Sequence, residues 1–339
     1  MSVEGSRKVV IAALAGNLAI TACKFSAALL SGSTATLAEA VHSLADSGNQ
    51  ALLLVGMRLA MKAADARYPF GRASELYFWP FVVALMLFSL GGAFGIYEGI
   101  GHLMSAPEPL KVFDHTIFGV HLKFSSNVLN YAVLGASVFF ESMSFRVAMR
   151  EFKKTSKGKG LARAFLEARD PTVPLVLAED TTALFGLSVA LVAVILRGVT
   201  GVAMWDALGS LVIGLLLAAV AVGLASVTHG LLIGKAAAIE DQARALEMAE
   251  ATVGVERVTQ ILSLHLGPEV IILALKVAFT PGTPVEQVED ITNGMEKRIR
   301  DKMPRMRKIF IEVDAHGDDR NVAAARALIG TLTDDEATP

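Results

Sequence analysis

The chain has 339 residues, of which 53% are hydrophobic and 19% are charged, and its formal net charge is −2. With a mean hydropathy of +0.51, it is too apolar for a water-soluble globule of this length, and its small net charge gives no reason to expect nucleic acid as a partner. Cys23 is the only cysteine, which excludes an intrachain disulfide and a thiolate metal cluster. The composition predicts an integral membrane protein.

Six apolar segments are each long enough to cross a bilayer, which takes about 20 helical residues. They are Val9–Leu30, Thr34–Met61, Phe78–Leu103, Val128–Met149, Val173–Leu196 and Ala203–Leu232. The first segment is long enough to remain as a span and lacks a small-residue cleavage site after a short core, so we expect no cleaved signal peptide. We predict a six-helix transmembrane domain over residues 1–233.

Basic residues concentrate on alternate connections between these spans. The connection after the fourth span holds Arg146, Arg150, Lys153, Lys154, Lys157, Lys159 and Arg163. The Ser105–Ser126 loop, which falls on the opposite side, has only Lys111 and Lys123. Because Lys and Arg accumulate on the cytoplasmic side, we expect both termini in the cytoplasm and the basic connection in contact with lipid headgroups. The lack of any targeting segment and the compact loops favour a bacterial plasma (inner) membrane, with a eukaryotic organelle as the alternative.

The sequence becomes charged and mixed after about Gly234. Its pattern predicts, in order, a helix, two strands, a helix and a strand over Ala236–Thr252, Val255–Leu266, Val270–Thr280, Pro284–Met303 and Arg307–Asp314. This αββαβ order predicts a small, ferredoxin-like cytoplasmic α+β domain over residues 234–318, with an antiparallel sheet and helices on one face. The tail, residues 319–339, adds an Ala-rich helical stretch and an acidic end.

The second span carries polar residues along one helical face, namely Glu39, His42, Asp46 and Asn49. His42 and Asp46 are four residues apart, so an imidazole nitrogen and a carboxylate oxygen can reach one ion. An ionisable residue inside a span costs roughly 2.5–3.5 kcal/mol on insertion scales, and a bound cation compensates for that cost. Taken alone, this helix is explained equally well by a polar contact between helices in which His42 and Asp46 pair with each other.

The fifth span favours the metal interpretation, because Glu179 and Asp180 are adjacent near the start of an apolar helix. Two like charges there repel each other unless a proton or a cation neutralises them. Adjacent helical residues point about 100° apart, so the two carboxylates cannot both face one ion squarely. We predict Asp180 as the ligand. Glu179 is then a proton carrier, a supporting group, a packing residue or a partly solvated carboxylate, and Glu141 in the fourth span is interpreted as a helix-pairing residue.

Histidine and carboxylate ligands without sulfur suit borderline divalent ions such as zinc, cobalt, iron and manganese, and the imidazole favours zinc. Such ligands must be deprotonated to bind, so we expect exchange of metal for protons by a transporter that has no resident cofactor. Two alternatives are a membrane-embedded metal sensor or scaffold and an intramembrane metalloenzyme. The enzyme is disfavoured because the chain has no His-Glu-x-x-His pattern and its apolar spans offer no substrate-binding groups.

The chain resembles the cation diffusion facilitator family of divalent metal/proton antiporters. The resemblance rests on Gly16-Asn17 with Lys24, on Ser33 through Asp46, on Tyr68-Pro69-Phe70-Gly71, on Asp180, on Asp206-Ala-Leu-Gly-Ser210 and on the αββαβ domain. The amino-acid sequence of span two and the Glu179-Asp180 pair are similar to those of the zinc transporter 9-like branch.

The resemblance implies a homodimer that moves a divalent ion, usually zinc, out of the cytoplasm by alternating access. The family's four transport ligands fall on His42, Asp46, Val176 and Asp180. Val176 departs from the His or Asp that is usual there, so the site lacks one ligand unless Glu179, Glu39, a hydroxyl or water completes it.

Two other metal sites found in the family also fall on unsuitable residues here. The interfacial site maps to Asp65, Tyr68 and Arg72, and the histidines of the cytoplasmic domain map near Thr259, Leu275 and Glu312. We therefore expect no metal at either place, and dimerisation through packing.

Overall fold

The computed structural model describes residues 3–31, 34–104, 112–117, 120–156, 160, 164–165, 168–202, 204–314 and 322–327. At some of these positions, including 30–31, 34–39, 42, 112–117 and 120–131, only the backbone is described. The side chains of Glu39 and His42 therefore lie outside the described part of the chain. The chain divides into two compact units, Met1–His229 and Gly230–Pro339.

Long helices make up the first unit. They are α1 (Val3–Ser31), α2 (Thr34–Ala60), α3 (Glu75–Met86), α4 (Phe94–Met104), α5 (Ser126–Ser156), α6 (Thr172–Thr200) and α7 (Met204–Ile233). A π-helical segment, Leu87–Ala93, joins α3 to α4. The three pieces together form one crossing.

Within the described ranges, five stretches are long and apolar enough to cross a membrane: Glu4–Leu29, Glu75–Met104, Ala132–Lys154, Thr172–Arg197 and Ala207–Ile233. Helix α2 is the sixth long helix. Its 27 residues extend about 40 Å at 1.5 Å per residue, which is enough to span, and its polar face is what lowers its hydropathy. The predicted fold class, six membrane helices followed by a small α+β domain, is confirmed.

Small residues let the third crossing lie directly against α7. A Cβ atom added at Gly92 would lie 2.8 Å from the Cα of Ala218, and one added at Gly214 would lie 2.6 Å from the backbone nitrogen of Ile96. The two backbones therefore touch at these points. Such close approach is the main source of packing energy between membrane helices, because lipid is as apolar as the helices themselves.

Asp65 organises the connection from α2 to α3. Its Oδ1 accepts the backbone N–H groups of Arg67 at 2.9 Å and Tyr68 at 2.8 Å, and its Oδ2 lies 3.6 Å from Nη2 of Arg72. The Arg72 guanidinium stacks on the Tyr68 ring, 3.9 Å from its centroid. Gly71 has a φ of +83°, a conformation that favours glycine. This connection is held by its own side chains.

A β-hairpin lies between α4 and α5, where the sequence predicts only a loop. Strand β1 (Val112–Ile117) pairs antiparallel with β2 (Val120–Ser125), with Val112 opposite Ser125 and Ile117 opposite Val120. The pairing is local, since residues 118–119 alone separate the strands, and a two-residue connection suffices for an antiparallel pair.

The second unit contains α8 (Ile239–Glu250), β3 (Val255–Gly267), β4 (Val270–Phe279), α9 (Val285–Lys302) and β5 (Met306–Val313). The αββαβ order is as predicted. The sheet order is β3-β4-β5. One buried cluster joins helices and sheet, and includes Leu246, Ile261, Leu273, Leu275, Met295 and Ile299.

The prediction of a wholly antiparallel sheet is wrong. Strands β3 and β4 are antiparallel, but β4 and β5 are parallel. The reason is that α9 intervenes between β4 and β5. A helical connection carries the chain back to the end of the sheet where β4 began, so the next strand runs in the same direction.

Part of the tail belongs to this unit. Residues 322–327 are helical, and Val322 and Ala325 are buried in the same core. Arg326 pairs with Glu250 and donates to the carbonyl oxygen of Val258 at 3.3 Å. The rest of the predicted tail, residues 319–321 and 328–339, lies outside the described residues.

We expect Gly214→Ala to destabilise the membrane unit, because overpacking of this kind costs roughly 1–3 kcal/mol. Gly223→Ala is the matched control on the same helix, since a Cβ atom there meets nothing within 4 Å. Thermal unfolding of the purified protein in detergent measures both variants. Equal midpoints would contradict the close approach of the two helices.

The Asp65 turn should depend on pH. The N–H group of Tyr68 lowers the pKa of Asp65 below its ordinary value of 3.8, so the contribution of the carboxylate is present above about pH 4 and is lost as pH falls through the lowered pKa. Amide hydrogen exchange at Arg67 and Tyr68, corrected for its intrinsic pH dependence, should lose protection several-fold below that pKa.

Two variants separate the parts played by the charge and the acceptor oxygen. Asp65→Ala should lose the protection at every pH. Asp65→Asn keeps an acceptor oxygen, and should keep most of the protection while losing its pH dependence. Full protection in Asp65→Ala would show that the backbone alone holds the turn.

Candidate metal site in the membrane helices

Asp180 lies in the interior of the first unit, only 2% exposed. It is the ninth residue of α6 and sits within an apolar crossing. The hydroxyl group of Ser144, on α5, donates to its Oδ2 at 2.7 Å. Val176, one turn earlier, is buried in the apolar core. The helix therefore presents one carboxylate, with no second ligand at the preceding turn.

Glu179 points to a different helix. It is 8% exposed, and its Oε2 accepts a hydrogen bond from Nε2 of Gln50 on α2 at 2.7 Å. Gln50 is fully buried. Two adjacent carboxylates thus connect α6 to two neighbours, Asp180 to α5 and Glu179 to α2, as the 100° step between adjacent helical residues requires.

Asp46 is half-buried on α2, one turn before Gln50. Its charge acts on both Glu179 and Glu141. Ser47, the next residue, has its hydroxyl oxygen 3.4 Å from that of Thr21 on α1. The predicted ligand Asp46 is therefore close enough to Glu179 on α6, and to Glu141 on α5, to interact with them electrostatically.

Glu141 is a fourth carboxyl group in this region. It lies on α5, one turn before Ser144, and it interacts electrostatically with Asp180, Asp46 and Lys24. The sequence indicates a helix-pairing or helix-end role for Glu141 and does not predict its proximity to the other carboxyl groups. The only signal in the sequence is an acidic residue inside an apolar span.

The surroundings of these carboxyl groups are polar although the helices are apolar outside. Hydroxyl and amide side chains buried in this unit include Asn17, Thr21, Ser43, Ser47, Asn49, Gln50, Ser137, Ser144 and Thr182. They come from α1, α2, α5 and α6. Four helices thus enclose a hydrophilic interior. In membrane proteins generally, ionisable residues that face the interior of a helix bundle mark substrate pathways.

Two predicted ligands, Glu39 and His42, have side chains outside the described residues. Their backbone positions on α2 place His42 one turn before Asp46. Among the side chains that are described, no three His, Cys, Asp or Glu residues come close enough together to hold a metal ion. The structure therefore brings Asp46, Glu179 and Asp180 into one region but not into one coordination sphere.

The other positions where a family resemblance would place metal hold different contacts. Asp65, Tyr68 and Arg72 bind one another in the turn described above. In the second unit, Leu275 is buried in the core, and Lys276 Nζ lies 3.4 Å from Glu312 Oε1. A lysine ammonium group therefore already neutralises part of the charge of Glu312.

Comparison with known families settles the class of protein. A model of the cation efflux transmembrane domain matches residues 10–233. The chain belongs to the cation efflux family. This is the cation diffusion facilitator family that the sequence motifs indicate, a family of integral membrane metal cation transporters.

This cation efflux protein is similar to three characterised proteins among others. It is 29% identical over 318 residues to Metal tolerance protein C4 of Arabidopsis thaliana, covering 93% of this chain and 64% of the relative. It is 31% identical over 269 residues to Proton-coupled zinc antiporter SLC30A9, mitochondrial, of Xenopus laevis, covering 79% of this chain and 45% of the relative. It is 23% identical over 318 residues to Magnetosome protein MamM of Paramagnetospirillum magneticum, covering 91% of this chain and 88% of the relative.

These matches confirm the predicted branch, close to SLC30A9. The cation efflux chain nevertheless spans less than two thirds of the plant relative and less than half of the frog relative.

We expect Ser144→Ala to weaken zinc binding by the purified full-length protein about 10–100-fold, the usual effect of removing a hydrogen-bond partner of a ligand. Ser137→Ala is the matched control, because Ser137 is also buried on α5 but lies two turns away. Isothermal titration calorimetry at neutral pH measures both affinities. Equal affinities in the two variants would mean that Asp180 does not bind the ion.

Proposed function

We propose that this cation efflux protein exports a divalent cation, zinc in the first place, from the cytoplasm in exchange for protons by alternating access. The observation that carries the proposal is the burial of Asp180 and Glu179 on α6, tied to α5 and α2 by side-chain hydrogen bonds. The name shared by the relatives from Xenopus laevis and Homo sapiens supports the choice of substrate and coupling ion, since it describes a proton-coupled zinc antiporter.

In this proposal the transported ion is bound by His42, Asp46 and Asp180. Imidazole and carboxylate ligands without sulfur suit zinc, and also admit manganese, cobalt and iron. Because Val176 is apolar and buried, the remaining coordination position is filled by Glu179, Glu39 or water. Of the side chains of His42, Asp46 and Asp180, only those of Asp46 and Asp180 are described, and no three possible ligands come together among the side chains that the structure describes.

The coupling of metal transport to protons rests on the four carboxyl groups inside the bundle. Asp46, Glu141, Glu179 and Asp180 interact electrostatically inside one bundle, and four ionised carboxylates there repel one another strongly. A divalent cation or protons relieve that repulsion. Since metal ligands must be deprotonated, binding of the cation expels protons from the site, and its release lets protons return.

The orientation and assembly are part of the same proposal. The basic connections place both termini and the α+β unit in the cytoplasm, with membrane lipids around the helices. The host membrane is a bacterial plasma membrane, and the transporter is a homodimer, as the family resemblance implies.

The test is zinc uptake into proteoliposomes with an imposed pH gradient. Wild-type protein should accumulate zinc, and the accumulation should collapse when an ionophore dissipates the gradient. Asp46→Asn and Asp180→Asn should each abolish uptake, whereas Ser137→Ala should leave it close to that of the wild type. Uptake by Glu179→Gln then shows whether Glu179 completes the site.

Comparison of zinc with manganese, cobalt and iron in the same assay ranks the substrates. Folding of every variant is checked by its elution as a single symmetric species in detergent. Absence of flux for all four metals with folded protein would contradict the proposal and favour a metal sensor.

A further inference from the structure

Three oxygen atoms in the polar interior accept no hydrogen bond from any part of the chain that the structure describes. They are Oδ1 of Asn49, Oε1 of Gln50 and Oε1 of Glu179. The three side chains are 4%, 0% and 8% exposed. A buried acceptor without a donor is strongly unfavourable, and native proteins leave few of them. Three in one place therefore need a common explanation.

The three oxygens belong to one group of side chains. Gln50 donates through Nε2 to Oε2 of Glu179 at 2.7 Å, and the Asn49 side chain also interacts with the Glu179 carboxyl group. Because the NH₂ group of Gln50 donates to the carboxylate, the amide oxygen of Gln50 points elsewhere and has no hydrogen-bond donor among the described residues. The same hydrogen bond occupies one carboxylate oxygen and leaves the other. The group thus contains more acceptors than donors.

The three oxygen acceptors that lack a donor are better explained by a cation than by a water molecule. A single water has two hydrogens and can satisfy only two of three acceptors. Asn49 and Gln50 are adjacent and point about 100° apart on α2, but both side chains reach the Glu179 carboxyl group, so a divalent cation beside that carboxylate can bind an oxygen from each. Amide and carboxylate oxygens are the ligands that hard divalent ions prefer. The one negative charge of Glu179 also offsets part of the charge of the ion.

We propose that Asn49, Gln50 and Glu179 form a second cation position in the membrane, built only from oxygen ligands and separate from His42, Asp46 and Asp180, which leaves Glu39 or water to complete the transport position. Asn49 and Gln50 follow Asp46 by about one turn, toward the Arg58 end of α2. A cation that approaches from that end meets this position before it reaches Asp46. The inference builds on the proposed transport function and adds a staging position along its path.

The two positions differ in selectivity. The staging position has no nitrogen ligand, so it accepts Mn²⁺ and Mg²⁺ as well as zinc. The imidazole of His42 at the transport position then selects borderline ions. Selection for zinc takes place at the second step, after a less selective first step.

The test is Mn²⁺ binding to the purified, tag-free full-length protein in detergent, measured from the electron paramagnetic resonance signal of free Mn²⁺. The starting variant is Asp46→Asn with Asp180→Asn, which removes the two acidic ligands of the transport position. It should still bind one Mn²⁺ per protomer. Addition of Gln50→Met, which keeps the length of the side chain and removes the amide, should weaken that binding at least tenfold.

Asn17→Leu is the matched control in the same background, because it removes a buried amide from α1 outside this group. It should leave the binding unchanged. Gln50→Glu restores an oxygen ligand and should retain the binding that Gln50→Met loses. If Gln50→Met does not fold, Asn49→Leu and Gln50→Glu carry the same comparison.

The outcomes separate this inference from the proposed function. No bound Mn²⁺ in the starting variant, or binding that is indifferent to both Gln50→Met and Asn49→Leu, would overturn the second position. Such a result would mean that water fills the site, and zinc flux that depends on Asp46 would be unaffected by it. Loss of zinc flux altogether with Gln50-dependent Mn²⁺ binding intact would overturn the transport function and leave the second position standing.

Discussion

The structure depends on one constraint, which is that carboxyl groups inside a membrane need partners that the lipid cannot supply. Asp180 and Glu179 are buried in an apolar helix, and their partners, Ser144 and Gln50, come from two other helices. The position and rotation of α2, α5 and α6 are thereby coupled to the charge in the centre. Any change in that charge, by a proton or a metal ion, alters the balance of forces among these helices. In the proposed function, this coupling is the physical basis of alternating access.

The remaining helices of the membrane unit have a different role. The third crossing and α7 are joined by glycines so closely that an added methyl group would overlap backbone atoms. Such contacts resist sliding, because a packed interface has few alternative arrangements. The polar helices α1, α2, α5 and α6 share a buried apolar core, and are joined in addition by hydrogen bonds between side chains, which can exchange partners. We infer that the glycine-packed pair is the rigid part of the transporter and that the polar helices are the part that rearranges.

Much of the fold follows from the sequence, and the exceptions have physical causes. Long apolar runs predicted the membrane helices, and the change of pattern after Gly234 predicted the αββαβ unit, because both rest on local periodicity. The direction of β5 was wrong because it depends on the α9 connection and not on the pattern within the strand. The hairpin of β1 and β2 was missed although β2, Val-His-Leu-Lys-Phe-Ser, alternates apolar and polar residues, because a pattern of six residues between two spans is a weak signal.

The site was predictable only in part, for a related reason. An acid in an apolar helix stands out in the sequence, so Asp46, Glu179 and Asp180 could be selected. Their partners could not, because serine and glutamine are common in membrane helices and the rotation of each helix decides which of them face a carboxylate. Ser144 and Gln50 became visible only once the helices were assembled. The grouping of Asn49, Gln50 and Glu179 likewise depends on the contact between α2 and α6.

The most direct test of the account is a measurement of proton movement driven by zinc alone. Proteoliposomes with a trapped pH-sensitive dye and no initial pH gradient are exposed to a zinc gradient. The account predicts that zinc flowing down its gradient drives protons in the opposite direction, and that Asp180→Asn abolishes both movements together. Zinc flux with no change in the internal pH would contradict the exchange of metal for protons.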